Sequence, residues 1–192
     1  MARYGKEHKE ATRRRIIEAA GQRLKRDGID GSGVAQLMGD AGLTNGAFYA
    51  HFASKEDLVA TAVADQLRQQ LERYRAQVSD RDGVEQFVRE YLSIPHRDDR
   101  EHGCPSAALL DEIGRCGDVT RDAFTDGALG LVDHFASLLA PDDPPSARGQ
   151  TLSLFALLIG TLQLSRALSD RQLADEMLAQ GIDNALALLP GE

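Results

Sequence analysis

The chain has 192 residues, 42% of them hydrophobic and 27% charged, which suits a soluble globular protein with one sizeable core or two small ones sharing a long helix. No apolar run is long enough for a bilayer and no signal-like apolar stretch opens the chain, so no membrane partner is expected and a cytoplasmic location is. The net charge of −8 speaks against a nucleic-acid partner only until it is divided: residues 1–55 hold ten Lys and Arg against six Asp and Glu, a balance of +4 that leaves −12 for the remainder.

Helix signals run throughout without a convincing two-residue alternation, which predicts an all-α fold. In "TRRRIIEAAGQRLKRDG" (12–28), Ile16, Ile17, Ala20 and Leu24 share a stripe and Gly28 is a plausible stop. Val34, Leu37, Met38 and Ala41 then mark a short amphipathic helix, followed by Gly42 where positive φ is wanted. Thr44 is placed to cap a third helix whose inward side is Phe48 and Phe52. Ser54 and Asp57 resemble a capping box opening a helix through Tyr74. Val84 to Leu92 form another helix, which Pro95 is expected to end, and residues 96–103 read as a loop. Pro105 suits the first turn of a helix through Ile113, and a longer one spans Thr120 to Leu139.

Residues 141–145, "PDDPP", are the strongest breaker. Between Thr151 and Ala167 apolar residues occupy nearly every face, so this helix must be covered on more than one side. Two arrangements do that: a central core helix, or a symmetric helix-pair interface with a second copy, formed with the last helix (Leu173 to Leu189). Ser169 and Gln172 read as the capping box of that last helix.

One stretch, "LTNGAFYAHFASKEDL" (43–58), suits neither a core nor a loop. Two short helices joined by a glycine turn, the second opening with small polar residues, make a helix-turn-helix. Phe48 and Phe52 pack inward, leaving Asn45, Gly46, Ala47, Tyr49, Ala50 and His51 on the other side. Small residues let a helix lie deep in a major groove, and Asn45 has the amide that reads a base edge. Thr44, Tyr49, His51 and Lys55 have the donors and reach for backbone phosphates, which set position and salt dependence. His51 satisfying nearby backbone and Tyr49 packing as an ordinary aromatic are the alternatives. Arg13, Arg14 and Arg15 are spread around the helix by about 100° per residue, so at most two face DNA.

With its small-residue turn, then Phe48-Tyr49-x-His51-Phe52, then Ser54-Lys55-Glu56-Asp57-Leu58, the tract "VAQLMGDAGLTNGAFYAHFASKEDLV" resembles the DNA-binding domain of the TetR family of one-component transcriptional regulators. The resemblance covers roughly residues 10 to 60. It implies a helix-turn-helix DNA-binding domain (1–54) and a helical effector-binding and dimerisation domain (55–192), in a homodimer held by the last two helices. It also implies phosphate contacts at Thr44, Tyr49, His51 and Lys55, base-facing positions at Asn45, Gly46 and Ala47, and release of an inverted-repeat DNA operator by a small-molecule effector. Asn45 departs from the residues common in the family at its position, which bears on operator sequence.

The body offers fewer signals. Phe87, Tyr91, Phe124, Phe135 and Phe155 sit on helices that line the family's pocket or serve simply as core. His134 and Gln163 interrupt apolar stripes, as ligand contacts or as internally bonded groups. Cys104 precedes a predicted helix N-terminus, where a thiolate is stabilised. It is read as a candidate effector residue, a redox- or electrophile-responsive thiol, with a small cap residue as the alternative. The segment around it also resembles a family subgroup with Gly-Cys here, some of whose members sense through cysteine. No Cys/His spacing suggests metal, no cofactor is expected, and no nucleophile or phosphate-loop motif suggests an enzyme. A helical protein-binding adaptor is the other non-enzymatic class.

Overall fold

The computed structural model describes residues 2–189, with side chains from residue 6. All regular structure among these residues is helical. In order come α1 (Ala2–Asp27), α2 (Val34–Asp40), a 3-10 helix (Asn45–Ala50), α3 (Lys55–Gln77), α4 (Arg81–Tyr91), α5 (Ile94–Asp98), α6 (Pro105–Arg115), α7 (Asp118–Leu139), α8 (Pro144–Ala167) and α9 (Arg171–Ala187). No described helix is long and apolar enough to cross a membrane.

The first core follows from the N-terminal stripes. Ile16, Ala20 and Leu24 of α1 meet Leu37 and Met38 of α2, with Phe48 and Phe52 closing the third side. The two phenyl rings stack with centroids 5.9 Å apart. Leu58, Val59, Ala62 and Val63 of α3 belong to the same core, as do Leu109 and Ile113 of α6. Two glycines set the turns. Gly28, at φ +81°, ends α1, and Gly42, at φ +68°, ends α2 with Leu43 N donating to Met38 O at 2.9 Å.

A second, aromatic core fills the body. Tyr74, Phe87, Tyr91, Phe135 and Phe155 pack edge-on or tilted, with centroids 4.7 to 6.5 Å apart, among Leu154, Leu158 and Leu162 of α8 and Leu178 and Ala185 of α9. α7 packs along α3, α8 on α7, and α9 on α8.

Several boundaries differ from the sequence expectation. α1 begins ten residues earlier than the quoted stripe, in a run of good helix formers whose side chains from Lys6 to Ala11 lie exposed. Pro95 does not end α4, which stops at Tyr91. It stands in the first turn of α5, inside the expected loop, where Ser93 Oγ accepts from His96 N. Pro144 and Pro145 likewise open α8 rather than merely interrupting the chain. Asp170, not Ser169, caps α9: its carboxylate accepts from Gln172 N and Leu173 N, while the Gln172 amide turns to Glu176. At α3 the expectation holds in modified form. Ser54 Oγ accepts from Asp57 N at 3.1 Å, and the Asp57 carboxylate returns to Ala53 N at 2.9 Å, one residue earlier than in the standard box.

Candidate nucleic-acid interface and effector cavity

Because Phe48 and Phe52 are buried, the rest of the 3-10 turn is forced outward. Thr44, Asn45, Gly46 and Ala50 are exposed, and Tyr49 is 78% exposed, its ring edge-on to Phe48 at 5.1 Å. Thr44 occupies the cap position without a side-chain cap bond. Ala47 is half-buried against the core, so the face is built from Thr44, Asn45, Gly46, Tyr49 and Ala50.

His51 stands at the edge of this face, half-buried, its Nδ1 enclosed without a hydrogen-bond partner. Burial first, then the charges of Lys9 and Arg13, hold it below the ordinary histidine range. Arg13 lies over the Phe52 ring, 4.7 Å from its centroid, which distinguishes it from the exposed Arg14 and Arg15. Lys9 was not singled out in the sequence; its position one turn before Arg13 on α1 is the signal that places it here.

Lys55 is engaged elsewhere. Its Nζ donates to Ile29 O at 2.6 Å, tying the start of α3 to the turn after α1. That turn is also gripped from the body. The Glu112 carboxylate of α6 accepts from Ile29 N at 2.9 Å and Asp30 N at 3.0 Å. A Cβ at Gly28 would come within 2.8 Å of a Glu112 oxygen, so space as well as φ requires glycine there. The C-terminal half of α6 is thus fastened to the head.

The N-terminal end of α6 borders a cavity of about 390 Å³ between α3, α4 and the 102–105 segment. Cys104, the cap residue, is 6% exposed on its wall, with Sγ 3.8 Å from Gln70 Oε1. His96 fixes it: Cys104 N donates to Nε2 at 3.0 Å, so the ring proton sits on Nδ1, which donates to Tyr91 O at 2.7 Å. Arg166 of α8 holds the same corner through the carbonyls of His96, Arg97 and Ala107. Phe87 and Tyr91 line the cavity, whereas Phe124, Phe135, Phe155, His134 and Gln163 do not. The second thiol, Cys116, lies at the opposite end of α6, donating to Glu112 O; both cysteines are free. Among the described residues no group of three or more His, Cys, Asp or Glu is arranged to hold a metal ion.

Residues 16–62 match the family described as bacterial regulatory proteins, tetR family. No curated protein matches the chain. Among solved structures, Escherichia coli NemR in its reduced form shares the fold at 18% identity and TM-score 0.77, covering 95% of this chain and 100% of NemR. SCO4454, a TetR-family transcriptional regulator from Streptomyces coelicolor, aligns at 22% identity and TM-score 0.66 over 93% of this chain and 95% of its own. Bacillus subtilis FadR, solved with stearoyl-CoA, aligns at 16% identity and TM-score 0.69 over 93% and 98%.

Proposed function

We propose that the chain, whose residues 16–62 match the tetR family, is a DNA-binding transcriptional regulator of that family, a homodimeric repressor released from an inverted-repeat operator by a small molecule. The observation that carries this reading is the face around the 3-10 turn: two buried phenyl rings hold Thr44, Asn45, Gly46 and Tyr49 outward, with Lys9 and Arg13 of α1 at the His51 edge. Thr44, Tyr49 and His51 take phosphates, Asn45 and Gly46 meet base edges, and Ala47 sets how closely the turn approaches. Lys55 joins the phosphate contacts only by leaving Ile29 O, so its engagement reports a change in the head.

Residues 1–54 form the DNA-binding unit and 55–192 the regulatory one, with α3 shared between their cores. Dimerisation uses α8 and α9. Leu152 and Leu164 of α8 are 48% and 57% exposed and Leu173 of α9 is 45% exposed, an apolar surface that one copy leaves uncovered. Leu164→Glu is expected to halve the mass seen by sedimentation and abolish tight operator binding.

The effector enters the cavity whose wall includes Cys104. NemR is described in a reduced form and FadR with an acyl-CoA, so this fold accommodates both a redox state and a bound ligand in those proteins. An effector acts only by preferring the conformation that cannot span two half-sites. If thiol-reactive compounds are the signal, alkylation at Cys104 lowers operator affinity and Cys104→Ser is indifferent to it. Alkylation of Cys104 with unchanged affinity leaves non-covalent ligands alone.

Selection from a randomised duplex library, followed by binding across salt concentrations, tests the central claim. An enriched inverted repeat with log K falling steeply against log salt supports it. A flat salt response without enrichment returns the N-terminal module to protein binding.

A further inference from the structure

The cavity beside α6 is lined by two cationic side chains, Lys25 and Arg73, against one carboxylate, Glu90. Lys25, near the end of α1, is only 6% exposed. Its Nζ donates to Gly103 O at 3.2 Å, and among the described residues no carboxylate lies within ion-pair distance. Arg73 of α3 brings a second cation to the same cavity and has no hydrogen-bond or ion-pair partner among the described residues. The Tyr91 hydroxyl is enclosed without a partner. Tyr74 accepts from Gln70 Nε2 at 2.7 Å, leaving its own proton free to donate.

Among the lining's acceptors, those of Glu90, His96, His102 and Gln70 already have partners. Glu90 accepts from Gln86, and both nitrogens of His96 are bonded. His102 faces Asp99, and Gln70 Oε1 faces the Cys104 thiol. Burial, then the like charge of Arg73, push the Lys25 pKa down, and burial raises both tyrosines well above the ordinary phenol. Both phenols therefore remain donors. A buried ammonium with one neutral acceptor is costly unless an anion pairs with it.

We propose that this cavity is a carboxylate site, taking a small organic acid whose anionic end lies between Lys25 and Arg73 and whose apolar body rests on Phe87, Tyr74 and Tyr91. The assignment rests on the reading of the body as an effector domain. The cavity volume of about 390 Å³ suits a compact ligand. Lys25 also gives such a ligand a direct line to the head, because the Gly28–Asp30 turn held by Glu112 begins three residues further on.

The test is titration of cinnamate, benzoate and octanoate, against cinnamamide, benzamide and octanamide, into DNA-free protein by calorimetry and thermal shift. The acids are expected to bind and raise Tm while the uncharged amides do not. Lys25→Met keeps the buried stem and should weaken acid binding by roughly ten- to a hundredfold, the worth of a charged hydrogen bond away from water. Arg73→Gln, at an exposed position that folding tolerates, should weaken it less. Equal binding of amides and acids, no binding of any acid, or undiminished acid binding in both variants overturns the proposal. Operator affinity is measured separately. Acids that bind without changing it uphold the site and overturn the effector reading, whereas DNA release by the amides alone overturns the site and leaves that reading standing.

Discussion

The two cores solve different problems with similar helices. In the head, Ile16, Leu24, Leu37, Met38, Phe48 and Phe52 close around one another, and the turn after α1 is bonded on both sides by Lys55 and Glu112. The body core is aromatic and borders a cavity that holds a buried ammonium and the unpartnered Tyr91 hydroxyl, whereas the head's one such atom, His51 Nδ1, stands at the edge of its outer face. Buried polar atoms without partners cost stability, so a fold keeps them where something else supplies the missing bond. The head is closed on itself while the body keeps a cavity, and α6 touches both.

The largest effect is expected from hollowing out the head. Phe48→Ala removes a fully buried ring that positions Asn45 and Tyr49, and is expected to cost about 3–5 kcal/mol in thermal or denaturant unfolding. Operator binding should disappear while the cavity keeps its ligand; simultaneous loss of both would show that head and body are one cooperative unit.

Next comes the fastening. Glu112→Ala leaves the amides of Ile29 and Asp30 without their acceptor and is expected to cost about 1–3 kcal/mol. Hydrogen exchange at those two amides should speed up more than within α1 or α2. Uniform loss of protection would mean that Glu112 stabilises the fold without coupling the regions.

Acid should act through histidines on both sides. His51, His96 and His134 all resist protonation in the native state, with burial the leading cause in each. For His96 the nearby charges of Arg166 and Lys25 add to the effect, against the Tyr91 carbonyl bond and Asp99. The unfolded chain therefore takes up protons first, near the ordinary histidine value of about 6.5. Stability is full above that value and declines as pH falls through the lowered native values. His96→Ala should flatten the decline in Tm between neutral and mildly acidic buffer, because protonating Nε2 breaks its bond from Cys104 N. An unchanged slope would assign the acid sensitivity to the other two.

What the sequence disclosed was local. Stripes at 3.6-residue spacing located α1, α2 and the aromatic pair 48/52, Gly28 ends α1 as expected, and Gly42 has the positive φ its position suggested. Proline misled because it marks a helix start as readily as a stop, and only Ser93, offering a cap two residues earlier, distinguishes Pro95 as a start. Ser169 lost the cap of α9 to Asp170, a charged acceptor one residue closer. Contacts spanning long stretches of sequence left no pattern: nothing in the sequence points Lys55 at Ile29 or Glu112 at the 29–30 amides. Lys25 did leave a trace, since it continues the Ile17–Gly21 spacing of α1 at a position where an apolar residue is expected.

The smallest predicted effect separates the two regions most cleanly. Tyr91→Phe deletes a buried hydroxyl that faces the Cys104 thiol without a hydrogen bond of normal geometry, so native stability should hold or rise by up to about 1 kcal/mol. Tyr74→Phe, by contrast, strips the Gln70 amide of its acceptor and should lower stability by about 1 kcal/mol. A body core built for packing alone would penalise both changes through lost polar contacts, and one prepared for a ligand penalises only the second. A fall in Tm for Tyr91→Phe as large as that for Tyr74→Phe would mean the hydroxyl is already satisfied within the fold. The contrast between a closed head and an open body would then rest on Lys25 and Arg73.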